Sequence, residues 1–220
     1  MKWLLQEAEI CEDIMSDSPY ESFDEQLRPL LEIMAREGIQ HAAEGLSEMT
    51  GQTITVTQPT VSLVPLNQIP NLLSGPENEA VGVYLRAEGE MAGQIMLIFP
   101  YERALKLVDL LIGEPEGTTQ QLGSYERSAL AEVGNLCGAF FLNAVASLVG
   151  MEARPTPPAV MVDMVAAILD VIIATAAGVG EHVLMLSTTF MQAGREAEAS
   201  FWIIPDPQSF KGISYSKINA

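Results

Sequence analysis

Two long stretches of this chain place apolar residues three and four positions apart, and each is followed by shorter runs in which apolar residues alternate or cluster. The first, Leu30 to Thr50, stops at Gly51, and the second, Ser124 to Val149, stops at Gly150. The spacing predicts a helix in each, and a glycine after the last periodic residue is the common left-handed stop. Each helix leads to a proline that opens a strand-like run, Pro59 before TVSLV and Pro158 before AVMV. Each half then carries two strands about a glycine-containing turn. AVGVYLRA and GQIMLIF flank EGEMAG, HVLMLSTTF and EASFWII flank MQAGRE, and the hairpins end at Pro100 and Pro205. A short helix is predicted after the first strand of each half, around LNQIPNLL and from Met164 to Ala176 behind Asp163 as N-cap. A further helix, YERALKLVDLLIG, follows the first hairpin, and GEPEGTTQQLG joins the halves.

A helix and three strands appearing twice, near one hundred residues apart, describe an internal duplication; solenoid repeats are shorter. Fusing the strands of both copies gives an α+β fold with pseudo-twofold symmetry. Its mostly antiparallel sheet has about six strands, and the two long helices pack on one face. The repeats are expected at about 23–115 and 122–210, within a domain spanning 23–220. Residues 1–22 form an acidic extension in which Trp3, Leu4, Ile10 and Ile14 line one side of a short helix before Ser16, Asp17, Ser18 and Pro19 interrupt it.

The second long helix carries the most informative polar positions. Leu130, Val133, Cys137, Phe140, Phe141, Ala144 and Leu148 fall on a broad apolar face. Ser128, Glu132 and Asn135 stand at i, i+4 and i+7, within one narrow stripe. Gly134 and Gly138 lie close by, each costing about 1 kcal/mol against alanine inside a helix, and close approach of another surface is the usual compensation. Twenty-two residues separate Asn135 from Pro158.

Composition narrows the field of functions. The net charge of −18, from 29 acidic and 11 basic side chains with no basic cluster, disfavours nucleic-acid binding. No apolar run approaches eighteen residues and the N-terminus lacks a signal-peptide core, so a cytoplasmic protein without membrane insertion is expected. Cys11 and Cys137 are far apart, His41 and His182 stand alone, and neither a metal site nor a cofactor of the chain's own is expected.

The spacing Ser128, Glu132, Asn135, Pro158 resembles the signature of the CheC/CheX/FliY family, phosphatases that act on the chemotaxis response regulator CheY. The resemblance extends over about 23–215, including QPTVSLVPLNQIP and DMVAAILD. It implies that Glu132 and Asn135 are the catalytic pair and that Ser128 and Pro158 support the motif. The regulator holds its own Mg²⁺, so the helper's task is to orient a water for in-line attack on a reactive aspartyl phosphate. A neutral amide suits that task, because it both accepts and donates and brings no negative charge to the phosphoryl oxygens. The resemblance also implies that Glu132 pairs with the regulator's active-site lysine. CheD, a receptor deamidase, is a further implied partner, with the helix at 164–176 as its surface.

In the first copy the corresponding positions are read as Arg28, Glu32 and Ala35, with Pro59 one residue late. Glu32 then marks a degenerate site, catalytically silent for want of the amide. The competing reading is a non-catalytic CheC/FliM-like interaction module in chemotaxis or flagellar switch signalling. FliY is disfavoured because the chain ends after the second hairpin, and CheX because it is shorter and dimeric by resemblance.

Overall fold

The computed structural model describes residues 19–57, 59–73, 75–175 and 182–205. The expected helix in the acidic extension lies outside them. In chain order the elements are α1 (Pro19–Thr50), β1 (Thr55–Val56), β2 (Thr60–Pro65), a 3₁₀ turn (Leu66–Gln68), α2 (Ile69–Leu72), β3 (Glu79–Gly89), β4 (Gly93–Pro100), α3 (Tyr101–Ile112), α4 (Ser124–Val149), β5 (Ala153–Pro155), β6 (Ala159–Met164), α5 (Val165–Thr175), β7 (His182–Gln192) and β8 (Arg195–Pro205). Helix α1 starts eleven residues earlier than Leu30 and runs through Pro29, so the expected boundary at residue 22 falls inside it. An interior proline reads locally as a helix start, which is why the earlier turns were not anticipated.

Among the described residues all strand pairs are antiparallel. The central pair is β4–β8; β3 and β7 flank it, β1 and β2 pair with β7, and β5 and β6 pair with β3. Among the described residues eight strands therefore fill six positions, since each outer position is shared by two short strands. The halves exchange their outer strands: the first half's β2 lies on the second half's hairpin, and the second half's β6 on the first. Neither half has a complete sheet alone.

Both faces of the sheet are covered. Ile95, Leu97 and Phe99 of β4 face a core shared with α1, α3 and α4, while Met96 and Ile98 face the smaller core beneath α2 and α5. Burial on both sides explains why GQIMLIF is apolar throughout instead of alternating. Trp202, fully buried, anchors the second core. Helix α4 has the length and mean hydropathy of a membrane span, but its apolar residues are spent on the sheet and on α1.

Helices α1 and α4 are antiparallel, since Gly38 faces Phe141 while Gly45 faces Leu136 and Phe140. Both end at glycines in the left-handed region, Gly51 with φ 69° and Gly150 with φ 69°. Asp163 is not the N-cap of α5. Among the described residues its carboxylate accepts only from the neighbouring Met164 N–H, and the first amides of the helix, Val165 and Ala166, donate to Asn78 O and Pro76 O. The loop before β3 thus does the capping, a partner that no local pattern reveals.

The link between the halves is organised by Asp109 on α3, which is 1% exposed. Its carboxylate accepts from the backbone N–H of Gly117 at 2.7 Å, Thr118 at 3.1 Å and Thr119 at 2.9 Å. Arg195, the first residue of β8, donates to Glu114 O, and the Tyr101 hydroxyl accepts from Leu122 N–H at 3.3 Å. The start of α4 is thereby tied to the sheet. Burial by itself would raise the Asp109 pKa, but the bonds from Thr119, Gly117 and Thr118 together outweigh it and hold the group below its ordinary 3.8. Its stabilisation is therefore complete above the unfolded-state value and disappears as pH falls through the lower folded value. Asp109→Ala should cost about 2 kcal/mol by taking the acceptor away from three part-buried backbone hydrogen bonds, read as a shift in urea midpoint. Asp109→Asn should flatten the loss of melting temperature between about pH 5 and pH 3; an unaltered pH profile would refute this role.

Candidate functional site

Three contacts orient α4. Gly134 and Gly138 lie flat on β3: a Cβ at Gly134 would stand 2.5 Å from Val83 Cγ1, and one at Gly138 3.1 Å from Leu85 Cδ1. The close approach expected from the cost of these glycines is thus present. On the next flank Leu136 and Phe140 press against α1, where Phe140 meets the His41 ring at 6.0 Å between centroids. What remains is the outward stripe.

On it stand Tyr125, Ser128, Glu132 and Asn135. Ser128 is exposed and donates back to Ser124 O at 2.8 Å. Glu132 and Asn135 are half-buried, and among the described residues neither side chain forms a hydrogen bond or an ion pair. One helical turn apart, they have neighbouring Cβ atoms. Asn135 lies about 100° round the helix from Leu136, on the side of Gly138, near which Pro155 of β5 packs. Pro158, half-buried, sits in the link between those strands. Tyr125, one turn before Ser128, is 66% exposed, and sequence reasoning missed it. An aromatic residue in register with a polar stripe was the available signal.

This arrangement is a helix face that presents a half-buried carboxylate and carboxamide on a backbone packed against the sheet. It suits a macromolecular partner that brings its own reacting group. Among the described residues no group of three or more His, Cys, Asp or Glu side chains is placed to hold a metal ion. Cys137, fully buried, has its thiol pushed up to about 12 by desolvation, which leaves it without a thiolate at neutral pH.

The first half is not aligned as the sequence suggested. Gly51 and Gly150 are 99 residues apart, and so are the starts of β2 and β6. The buried faces agree: Met34, Ala35, Gly38, Ile39, Ala42, Ala43 and Leu46 on α1 correspond at the same offset to Val133, Gly134, Cys137, Gly138, Phe141, Leu142 and Val145 on α4. The counterpart of Glu132 is therefore Ile33 and not Glu32. Asn135 corresponds to Arg36 and not to Ala35, which is sealed in the core, and Ser128 corresponds to Pro29 and not to Arg28. Pro59 now follows at the same interval as Pro158, so it is no longer late. A glutamate at position 32 suggests the other register, but burial of the opposite helix face decides it.

No family model matches the chain. The CheY-P phosphatase CheC of Bacillus subtilis is 26% identical over 200 residues, covering 89% of this chain and 96% of that protein. The crystal structure of FliY from Thermotoga maritima superposes with a TM-score of 0.67 at 18% identity, covering 93% of this chain and 98% of that one. The FliM middle domain of Vibrio alginolyticus gives a TM-score of 0.58 at 14% identity, covering 80% of this chain and 92% of that one.

Proposed function

We propose that this chain, which belongs to the CheC/CheX/FliY family and is similar to CheC, stimulates hydrolysis of the aspartyl phosphate of a CheY-type response regulator, using one active site on α4. The observation that carries the reading is a polar pair that has no work inside the protein. Glu132 and Asn135 stand on the outward stripe of a helix whose backbone packs closely on β3, and their side chains have no partner among the described residues. Similarity over nearly the full length to a CheY-P phosphatase supports the choice of partner.

On this reading Asn135 holds the attacking water. Its amide oxygen accepts from the water and its NH₂ donates beside the phosphoryl group, so the contribution is positional and not that of a base. Glu132, one turn earlier, pairs with a cation of the regulator next to the acyl phosphate. Ser128 and Pro158 frame the stripe. The metal belongs to the regulator: Mg²⁺ bound there offsets charge on the phosphoryl oxygens. Tyr125 adds aromatic surface to the docking face. By family resemblance CheD would meet α5, whose Val171 and Ile173 are exposed, and the protein would work in the cytoplasm.

The test is the lifetime of acyl phosphate on a CheY-type regulator with and without catalytic amounts of the chain. Faster loss with turnover supports an enzyme. Binding of the phosphorylated regulator with an unchanged lifetime would instead favour the interaction module that FliM's similar fold makes the natural second reading.

A further inference from the structure

The corrected register gives the first half's stripe its own chemistry. Where α4 carries Glu132 and Asn135, α1 carries Ile33, 44% exposed, and Arg36, exposed. Among the described residues Arg36 forms no hydrogen bond or ion pair, whereas Arg127 on α4 donates to Leu122 O at 3.2 Å. Pro59 stands to Arg36 as Pro158 stands to Asn135. A guanidinium has five donors, no acceptor and a permanent charge. It cannot accept a hydrogen bond from a water and so cannot aim that water at phosphorus. It is, however, the side chain best shaped to grip two phosphoryl oxygens at once. In a chain of net charge −18, an unpaired cation at the point where the other half presents its amide is complementary to that same anion. Ile33 supplies apolar contact in place of the carboxylate.

Resting on the phosphatase reading of the second half, we infer that the face around Ile33, Arg36 and Pro59 is a holding site, which binds the phosphorylated receiver through its phosphoryl oxygens and leaves the acyl phosphate intact. The helices are antiparallel and related by the pseudo-twofold, so the two faces look toward opposite edges of the sheet, α1's toward β1 and β2 and α4's toward β5 and β6. The chain is thus asymmetric in chemistry though not in shape: one face discharges the regulator and the other retains it charged.

Isothermal titration of the full chain with the CheY-type receiver carrying beryllofluoride and Mg²⁺, a non-hydrolysed mimic of the acyl phosphate, tests this directly. The unaltered chain is expected to take two receivers, and Glu132→Ala combined with Asn135→Ala is expected to take one. Adding Arg36→Gln to that pair should weaken the remaining binding about tenfold or more, with Arg36→Lys intermediate. Omitting beryllofluoride should weaken it similarly. The single Arg36→Gln variant should keep its acceleration of phosphate loss, which shows that it folds. One receiver per unaltered chain, or no effect of Arg36→Gln on the remaining site, overturns the inference. Two receivers per chain with no acceleration of phosphate loss would instead sink the phosphatase reading and leave the holding site standing.

Discussion

Asn135→Ala is expected to lower the stimulated loss of acyl phosphate by about 10²-fold or more, while the melting temperature stays within a degree or two of the parent's. The side chain is half-buried and forms no hydrogen bond among the described residues, so its removal strands no donor and opens no core cavity. The water loses the group that holds it in line, and nothing else on the stripe replaces that group: Glu132 has no donor, and Ser128 is a full turn and more away with its hydroxyl bonded to Ser124 O. Asn135→Asp should be almost as inactive, because a carboxylate aimed at phosphoryl oxygens is repelled by them. Glu132→Ala should act differently, raising the regulator concentration needed for half-maximal rate more than it lowers the limiting rate, since it removes a docking pair. Single-turnover decay of labelled regulator separates these effects. Retention of most activity in Asn135→Ala would refute the assignment.

Gly38→Leu is expected to cost about 3 kcal/mol, the upper part of the range for overpacking. Already a Cβ at this position would stand 2.8 Å from Phe141 Cα and 3.1 Å from its backbone nitrogen. Backbone cannot turn aside as a side-chain tip can, so the two long helices must separate. The helix-propensity gain of roughly 1 kcal/mol on replacing glycine does not offset this. Separation would also loosen the packing of Phe141, which is fully buried against Phe201 of β8. Chemical denaturation followed by circular dichroism reads the loss directly. A stability equal to the parent's would mean that the helices do not meet at Gly38.

The contrast between Gly38 and Gly134 shows where reading from sequence ran out. Both glycines interrupt helices, and both could be inferred to face something close. Only coordinates show that Gly134 meets the sheet at Val83 whereas Gly38 meets the other helix. Similarly, the periodicity of α4 placed Ser128, Glu132 and Asn135 in one stripe, and its glycine stop placed the C-terminus at Gly150, because both are local properties of a 3.6-residue helix. The onset of α1 was not legible, since Pro29 mimics a helix start, and the cap of α5 was not, since its acceptors come from residues 76 and 78 in the other half.

What the amino-acid order determined alone is most of the inventory: two copies of a long helix, a strand and a hairpin, an antiparallel α+β fold, and one polar pair at a spacing that resembles a phosphatase motif, but not the short strands β1 and β5, which share a sheet position with β2 and β6. Those features follow from short-range periodicity, from turn chemistry and from residue type. The tertiary structure decided which residues of the two copies correspond. Register between repeats is set by which side chains are sealed against a shared sheet, and that is a long-range condition. Moving the alignment by one residue turned a worn copy carrying Glu32 into a different surface carrying Ile33 and Arg36, because one step along a helix rotates a side chain by 100°, enough to move it from the core to the solvent.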